Sequence, residues 1–212
     1  MGPLQGIRII EFAGLGPAPF CGMMLADMGA ELIRIDRSGS ASDPPRNALA
    51  RSRKSLACDL KNPDAVKAVL RLIETADGVL EGFRPGVMER LGLGPDSCLA
   101  RNSALAYGRM TGWGQDGPLA DVAGHDINYL ALTGALHLIG ERGRKPTPPL
   151  NLLADYGGGG MLLAFGMLCA ILHARASGKG QIVDAAMLDG VNAMMSAFHS
   201  AALSDLQPDE TG

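Results

Sequence analysis

Two short stretches of this chain carry side chains able to move a proton. One is Gly124-His125-Asp126-Ile127-Asn128-Tyr129; the other is Asn151-Leu152-Leu153-Ala154-Asp155, followed closely by Gly157-Gly158-Gly159-Gly160. A histidine titrates near neutrality and can take or return a proton, while a carboxylate facing it across a substrate can do the reverse. Asp155 also precedes an expected helix start, where N–H groups and the helix dipole favour negative charge such as a developing oxyanion. Spacing alone leaves plainer readings open, with Asp155 as the cap of that helix and His125 as a hydrogen-bonded loop residue. His137, His173 and His199 have no comparable surroundings and read as structural.

A second group is basic. Arg37, Arg51, Arg53, Lys54, Lys61, Arg84 and Arg90 fall mostly near expected strand ends. Ligands of open α/β sheets bind at such ends, and a phosphorylated nucleotide such as CoA requires guanidinium or ammonium groups there. Taken singly, each is more simply a solvated surface residue. Gly14-x-Gly16 after a strand, with Asp36 about 20 residues on, is a weak dinucleotide fingerprint, because Pro19 occupies its third small position. Arg37 beside Asp36 offers instead a planar cation to an adenine ring.

These residues need elements to position them. Ile7 to Ala13 is rich in β-branched residues and is broken by Gly14-Leu15-Gly16-Pro17; Phe20 to Met28 has helical spacing; Glu31 to Asp36 returns to strand character. The β-α-β pattern continues with a strand over Ser55 to Leu60, a helix from Pro63 to Ala76, and strands over Gly78 to Glu81 and Ala104 to Met110. A long apolar helix follows Asp155 and ends near Ser177-Gly178-Lys179-Gly180, then a strand over Gln181 to Ala186 and a helix over Leu188 to Ala202. Alternation of this kind predicts an α/β fold, a Rossmann-like parallel sheet with helices on both faces.

Composition narrows the function classes. With 212 residues, 47% of them hydrophobic, the chain can bury a real core. Its net charge of −3, with basic and acidic residues interspersed, gives no broad positive field, so neither nucleic acid nor a membrane surface is an expected partner. Cys21, Cys58, Cys98 and Cys169 lie far apart, with no metal-ligand spacing, and predict free thiols in a reducing, cytoplasmic setting. No signal-peptide pattern or peroxisomal address is expected. Met161 to Ile171 is too short for a membrane span and reads as a buried helix, with Met23, Met24, Met161 and Met167 as core.

Taken together, Leu25-Ala26-Asp27-Met28-Gly29-Ala30, Arg84-Pro85-Gly86-Val87, the Gly124 to Tyr129 stretch, Asn151 to Asp155 with its glycines, and Ser177-Gly178-Lys179-Gly180-Gln181 form a consistent series. In that order, from Leu4 to about Gly190, the chain resembles the α-methylacyl-CoA racemases of the family III CoA-transferase (CaiB/BaiF) superfamily. The resemblance implies that residues 1–203 form a CoA-binding large domain and 204–212 a polar tail, and that the family's smaller second domain lies outside these residues. It implies interlocked homodimers with CoA at the sheet ends. Carried over by position, Arg37, Cys58, Asp59, Leu60, Lys61, Gly82, Phe83, Arg84, Arg90, Gly124, Asp126, Ile127, Asn128 and Tyr129 contact CoA or substrate, and His125 and Asp155 transfer the proton. The implied reaction of fatty acid metabolism is racemisation of 2-methylacyl-CoA through an enolate. It uses no metal or redox cofactor, CoA entering as part of the thioester. Related CoA-transferases use an aspartate at the position of Asp155 as nucleophile but usually lack the Gly-His-Asp-Ile-Asn-Tyr sequence. A transferase is therefore the implied alternative, and a fragment that only binds CoA a third.

Overall fold

The structure is a computed structural model that describes residues 2–39 and 47–204. Among these residues six strands form one sheet, β1 (Arg8–Phe12), β2 (Glu31–Arg37), β3 (Arg53–Cys58), β4 (Gly78–Glu81), β5 (Ala106–Thr111) and β6 (Gln181–Ala186). Their order is β3-β2-β1-β4-β5-β6, and every neighbouring pair is parallel. Central strands of such a sheet are covered on both faces and so read as continuous apolar runs. Ile9 and Ile10 on β1, and Val79 and Leu80 on β4, are fully buried. The polar tail expected at 204–212 lies, but for Ser204, outside the described residues.

Helices α1 (Pro17–Asp27) and α6 (Leu162–Ser177) cover one face, where Ile9, Leu25, Leu32, Leu80, Leu163 and Met167 pack together. Helix α2 (Pro63–Ile73) covers the other, with Ile10, Phe12, Val69, Ile73, Val79 and Tyr107. Pro63 opens α2 as its sequence predicts, because proline needs no N–H in the first turn, and the Asn62 side chain accepts from the Asp64 N–H at 2.9 Å. The short helices α3 (Val87–Arg90) and α4 (Pro95–Leu99) separate β4 from β5, and α5 (Asp126–Leu132) follows the loop after β5.

Two expectations change. The helix expected over Leu188 to Ala202 is two, α7 (Met187–Met194) and α8 (Ser196–Leu203). The long apolar helix also begins earlier, as a widely wound helical segment over Leu152–Met161 with the i to i+5 pattern, before it tightens into α6. Leu152–Ser177 is long and apolar enough to cross a membrane, yet half of its apolar window is buried in the fold, as a core helix would be. Met23 and Met167 are core residues as expected, whereas Met161 is 49% exposed.

The wide segment fits because its neighbours come to it as backbone. A side-chain carbon added at Gly158 would stand 2.8 Å from the Val191 nitrogen, and one added at Gly190 on α7 would run into the Gly158 carbonyl. Gly190→Ala and Gly158→Ala should each lower stability, by at least the ~1–3 kcal/mol typical of overpacking, because backbone rather than a flexible side chain must move. Urea unfolding measures this, and a change within 0.5 kcal/mol would mean that the two segments are further apart than described.

Candidate active site

In an open doubly wound sheet, ligands settle at the carboxyl ends of the strands where the strand order reverses, here between β1 and β4. A cleft lies there in two lobes. The first, of about 290 Å³, is walled by Leu15 and Pro17 from the β1–α1 turn, Gly82 to Pro85 after β4, Gly112 and Trp113 after β5, and Gly124, His125 and Tyr129. The second, of about 320 Å³, is walled by Phe12, Ala13, Ile35, Asp36, Arg37, Cys58, Asp59, Leu60, Lys61, Phe83 and Leu91. Phe83 lines both lobes and joins them.

Of the residues singled out from sequence, Arg37, Cys58, Asp59, Leu60 and Lys61 line the second lobe. Gly82, Phe83, Arg84, Gly124, His125 and Tyr129 line the first. Burial pushes the Cys58 thiol upward, with the Asp59 charge adding to it, so the side chain is a neutral thiol in an apolar wall. Tyr129 is buried with its ring edge against Trp113, centroids 4.6 Å apart, and burial raises its hydroxyl to about 12. Arg90 does not line either lobe; it is exposed and leans over the Gly86 turn that follows Arg84. Ile127 and Asn128 also lie outside the lobes, on the exposed side of α5, where the Asn128 side-chain oxygen accepts from the His125 N–H at 2.9 Å. That bond fixes the backbone from which His125 projects.

Asp155 sits within the first turn of the wide segment, not at its cap, which is Asn151. Its Oδ2 lies 3.7 Å from where a side-chain carbon on Gly16 would stand, so the carboxylate faces the β1–α1 turn that also walls the first lobe. Gly16 has φ +67, a left-handed conformation that glycine adopts without strain. Burial raises the Asp155 pKa; the Asn151 side-chain amide, donating at 3.3 Å, opposes this, the Asp126 charge adds to it, and His125 lowers it. His125 is exposed on the wall of the first lobe, while Asp155 is half-buried and lines neither lobe; the two are linked through the lowering of the Asp155 pKa by His125.

Two expectations are corrected. The helix start expected after Asp155 lies before it, at Leu152, and two N–H groups of that first turn, Ala154 N and Asp155 N, both donate to Asp126 Oδ2, each at 2.8 Å. Asp126 turns this carboxylate inward beneath the site and is 6% exposed. The basic group also divides. Arg53 is buried and pairs with Glu11, and it donates to the Leu49 and Pro19 carbonyls. Lys54 pairs with Glu31 and Arg51 with Asp27, away from the cleft walls, so none of the three lines either lobe.

Sequence reading missed Glu81. It ends β4 within an otherwise apolar buried run, and that misfit was the available signal. Its carboxylate accepts from the Phe83 N–H at 2.7 Å and so anchors the turn where the two lobes meet. Across the sheet, Glu81 stands in register with Arg109 on β5, and Arg109 with Asp184 on β6.

The sheet order and the cleft at its reversal define a doubly wound α/β protein. Comparison narrows the class further. The chain belongs to CoA-transferase family III, whose family model matches residues 4–211. It is 51% identical to the α-methylacyl-CoA racemase of Mus musculus over 92% of this chain and 50% of that one. It is 49% identical to the Homo sapiens α-methylacyl-CoA racemase over 92% of this chain and 50% of that one. A crystal structure of a CaiB/BaiF family protein from Brucella suis superposes with a TM-score of 0.89 at 27% identity, covering all of this chain and 60% of that one. The chain thus spans about half the length of the curated relatives it matches.

Glu81 gives the site a pH signature. Burial raises its pKa to about 7, the Phe83 N–H lowering it less than burial raises it. The folded state therefore keeps a proton that the unfolded state loses in the ordinary carboxylate range, and stability falls as pH rises from that range to about 7. Glu81→Gln, neutral throughout, should gain on the unmodified protein over this interval by up to about 1.4 kcal/mol per pH unit and hold a constant difference above it. Urea midpoints from pH 4 to 8 measure the difference; one that does not vary with pH would show that Glu81 ionises as an exposed acid does.

Proposed function

We propose that this chain binds acyl-CoA thioesters across the two lobes and racemises 2-methylacyl groups by moving one proton between the faces of the α-carbon. The observation that carries this reading is the pairing of an exposed histidine on the cleft wall with a half-buried carboxyl whose pKa burial raises. A base with a raised pKa gives up a proton as well as takes one, which a reaction running in both directions requires. Similarity to two racemases at 51% and 49% identity supports it.

In this reading the thioester carbonyl acidifies the α-hydrogen. One of His125 and Asp155 removes it to leave an enolate, and the other, already protonated, delivers a proton to the opposite face. The substrate ends inverted at its α-carbon, and the two groups have exchanged protonation states. CoA is carried as part of the substrate, its phosphates served by Arg37 and Lys61 at the second lobe and Arg84 at the first. Cys58, Leu60 and Phe83 offer the apolar wall on which a planar base can lie. Residues 1–203 are read as the CoA-binding domain of a homodimer. The four free cysteines agree with a reducing, cytoplasmic setting.

The competing transferase reading makes Asp155 the nucleophile that attacks the thioester carbonyl, expels the CoA thiolate and holds the acyl group as an anhydride. The two readings differ in product. Incubated with either enantiomer of a 2-methylacyl-CoA in deuterated water, the chain should exchange the α-hydrogen. His125→Ala and Asp155→Asn should each cost on the order of 10²–10⁴-fold in rate, with opposite enantiomer bias. A folded, CoA-binding chain that exchanges no α-hydrogen, yet yields a hydroxylamine-trapped Asp155 by mass spectrometry, would replace the racemase with the transferase.

A further inference from the structure

Asp126 stands immediately after His125, yet its carboxylate does not line the cleft. It is 6% exposed, and its two oxygens have different surroundings. Oδ2 accepts from both Ala154 N and Asp155 N at 2.8 Å, while Oδ1 is buried with no hydrogen-bond partner among the described residues. A buried carboxylate with one oxygen unpartnered is costly, so what its other oxygen holds must matter to the fold or to the site.

What it holds is the backbone of Asp155. The first N–H groups of any helical segment have no acceptor within the helix, and here the winding is also wide, so the backbone at Ala154 and Asp155 is set from outside. A charged acceptor shared by two amides is the strongest such anchor available. We propose that Asp126 is the positioning residue of this site: its carboxylate does not touch the substrate but clamps the 154–155 backbone from α5, fixing Asp155 opposite the β1–α1 turn. The inference rests on the racemase reading only for its effect on rate.

The clamp also carries charge. The titratable groups bearing on Asp155 are Asp126, His125 and Tyr129, all from the start of α5, with the Asn151 amide from its own segment. The faces that α1 and α7 turn toward the segment are apolar, namely Pro17, Phe20, Met187 and Val191. Asp126 is thus the negative charge that opposes ionisation of Asp155, and removing it lets Asp155 ionise at lower pH.

Two variants separate position from charge. Asp126→Asn keeps an oxygen for both amides and removes the charge; Asp126→Ala removes both. In ¹³C-labelled protein, the Asp155 carboxyl midpoint should move acidward in Asp126→Asn. CoA affinity by calorimetry should stay within two-fold, and kcat for 2-methylacyl-CoA should fall with little change in KM. Asp126→Ala should cost on the order of 10²-fold in kcat, the loss expected when a reacting group is displaced by about 1 Å. Should Asp126→Ala fail to fold, the isosteric Asp126→Asn decides alone. An unmoved Asp155 midpoint together with a tenfold or greater loss of CoA affinity would overturn the proposal and make Asp126 a ligand contact. The titration and the isotherm need no turnover, so they decide on Asp126 even if the unmodified chain exchanges no α-hydrogen, an outcome that would count against the racemase reading instead.

Discussion

The carbonyl oxygen of Gly158 stands where any side chain at Gly190 would have to go. Around that approach, the wide segment Leu152–Met161 lies against α7 on one side and against Pro17 and Phe20 of α1 on another, with Phe20 and Tyr156 rings 4.9 Å apart. Side chains at Gly158, Gly159 and Gly160 would hold these elements apart, and Asp155 would stand away from the β1–α1 turn. The glycine run therefore fixes the depth at which the carboxyl sits, and depth decides how much water reaches it. Its pKa is raised because the backbone is close, which ties the proton chemistry to the packing.

A second constraint secures the opposite wall of the cleft. The buried Glu11–Arg53 pair joins β1 to β3, and Arg53 reaches the Pro19 carbonyl in the first turn of α1 and the Leu49 carbonyl in the short 3-10 turn Ala48–Ala50. Burial raises the Glu11 pKa while Arg53 opposes this. A buried ion pair is weak grounds for stability, since desolvation offsets its attraction, but its hydrogen bonds are directional. Here they fix where α1 begins relative to β1, and the turn between them faces Asp155.

The sheet was legible in the sequence because parallel strands covered on both faces leave continuous apolar runs. Gly78 to Glu81 and Gln181 to Ala186 match the strands residue for residue. Part of the cleft was legible for the same reason, Arg37, Lys61 and Arg84 being cations near strand ends. Cys58 to Leu60, Gly82 and Phe83 were implied only by the family resemblance, and the strand expected over Ser55 to Leu60 lies two residues earlier, at Arg53–Cys58. What was not legible depends on partners distant in sequence. Arg53 reads like Arg37 in one dimension, and only the return of β1 beside β2 puts Glu11 within its reach. Asp126 reads by resemblance as a contact of CoA or substrate, and its bonds to Ala154 N and Asp155 N become visible only when residues 28 and 29 positions away are brought to it. The wide winding over Leu152–Met161 leaves no periodic signature, because four glycines carry no side chains to mark a face.

The division of the basic residues bears on how an anion would be recognised. A chain of net charge −3 offers no long-range attraction to a phosphorylated ligand, so recognition falls to cations close to it, within the Debye length of about 8 Å at physiological ionic strength. Arg51, Arg53 and Lys54 pair with carboxylates and line neither lobe, whereas Arg37, Lys61 and Arg84 stand at the cleft walls. Arg37 and Lys61, at the ends of β2 and β3, share the second lobe with the apolar Leu60, Phe83 and Leu91, while Arg84, after β4, stands on the first lobe. In the reading proposed above, cations beside an apolar wall suit a ligand that carries phosphate and apolar surface together. A smaller anion would be held by any one of these cations and would leave the apolar wall of the second lobe unused.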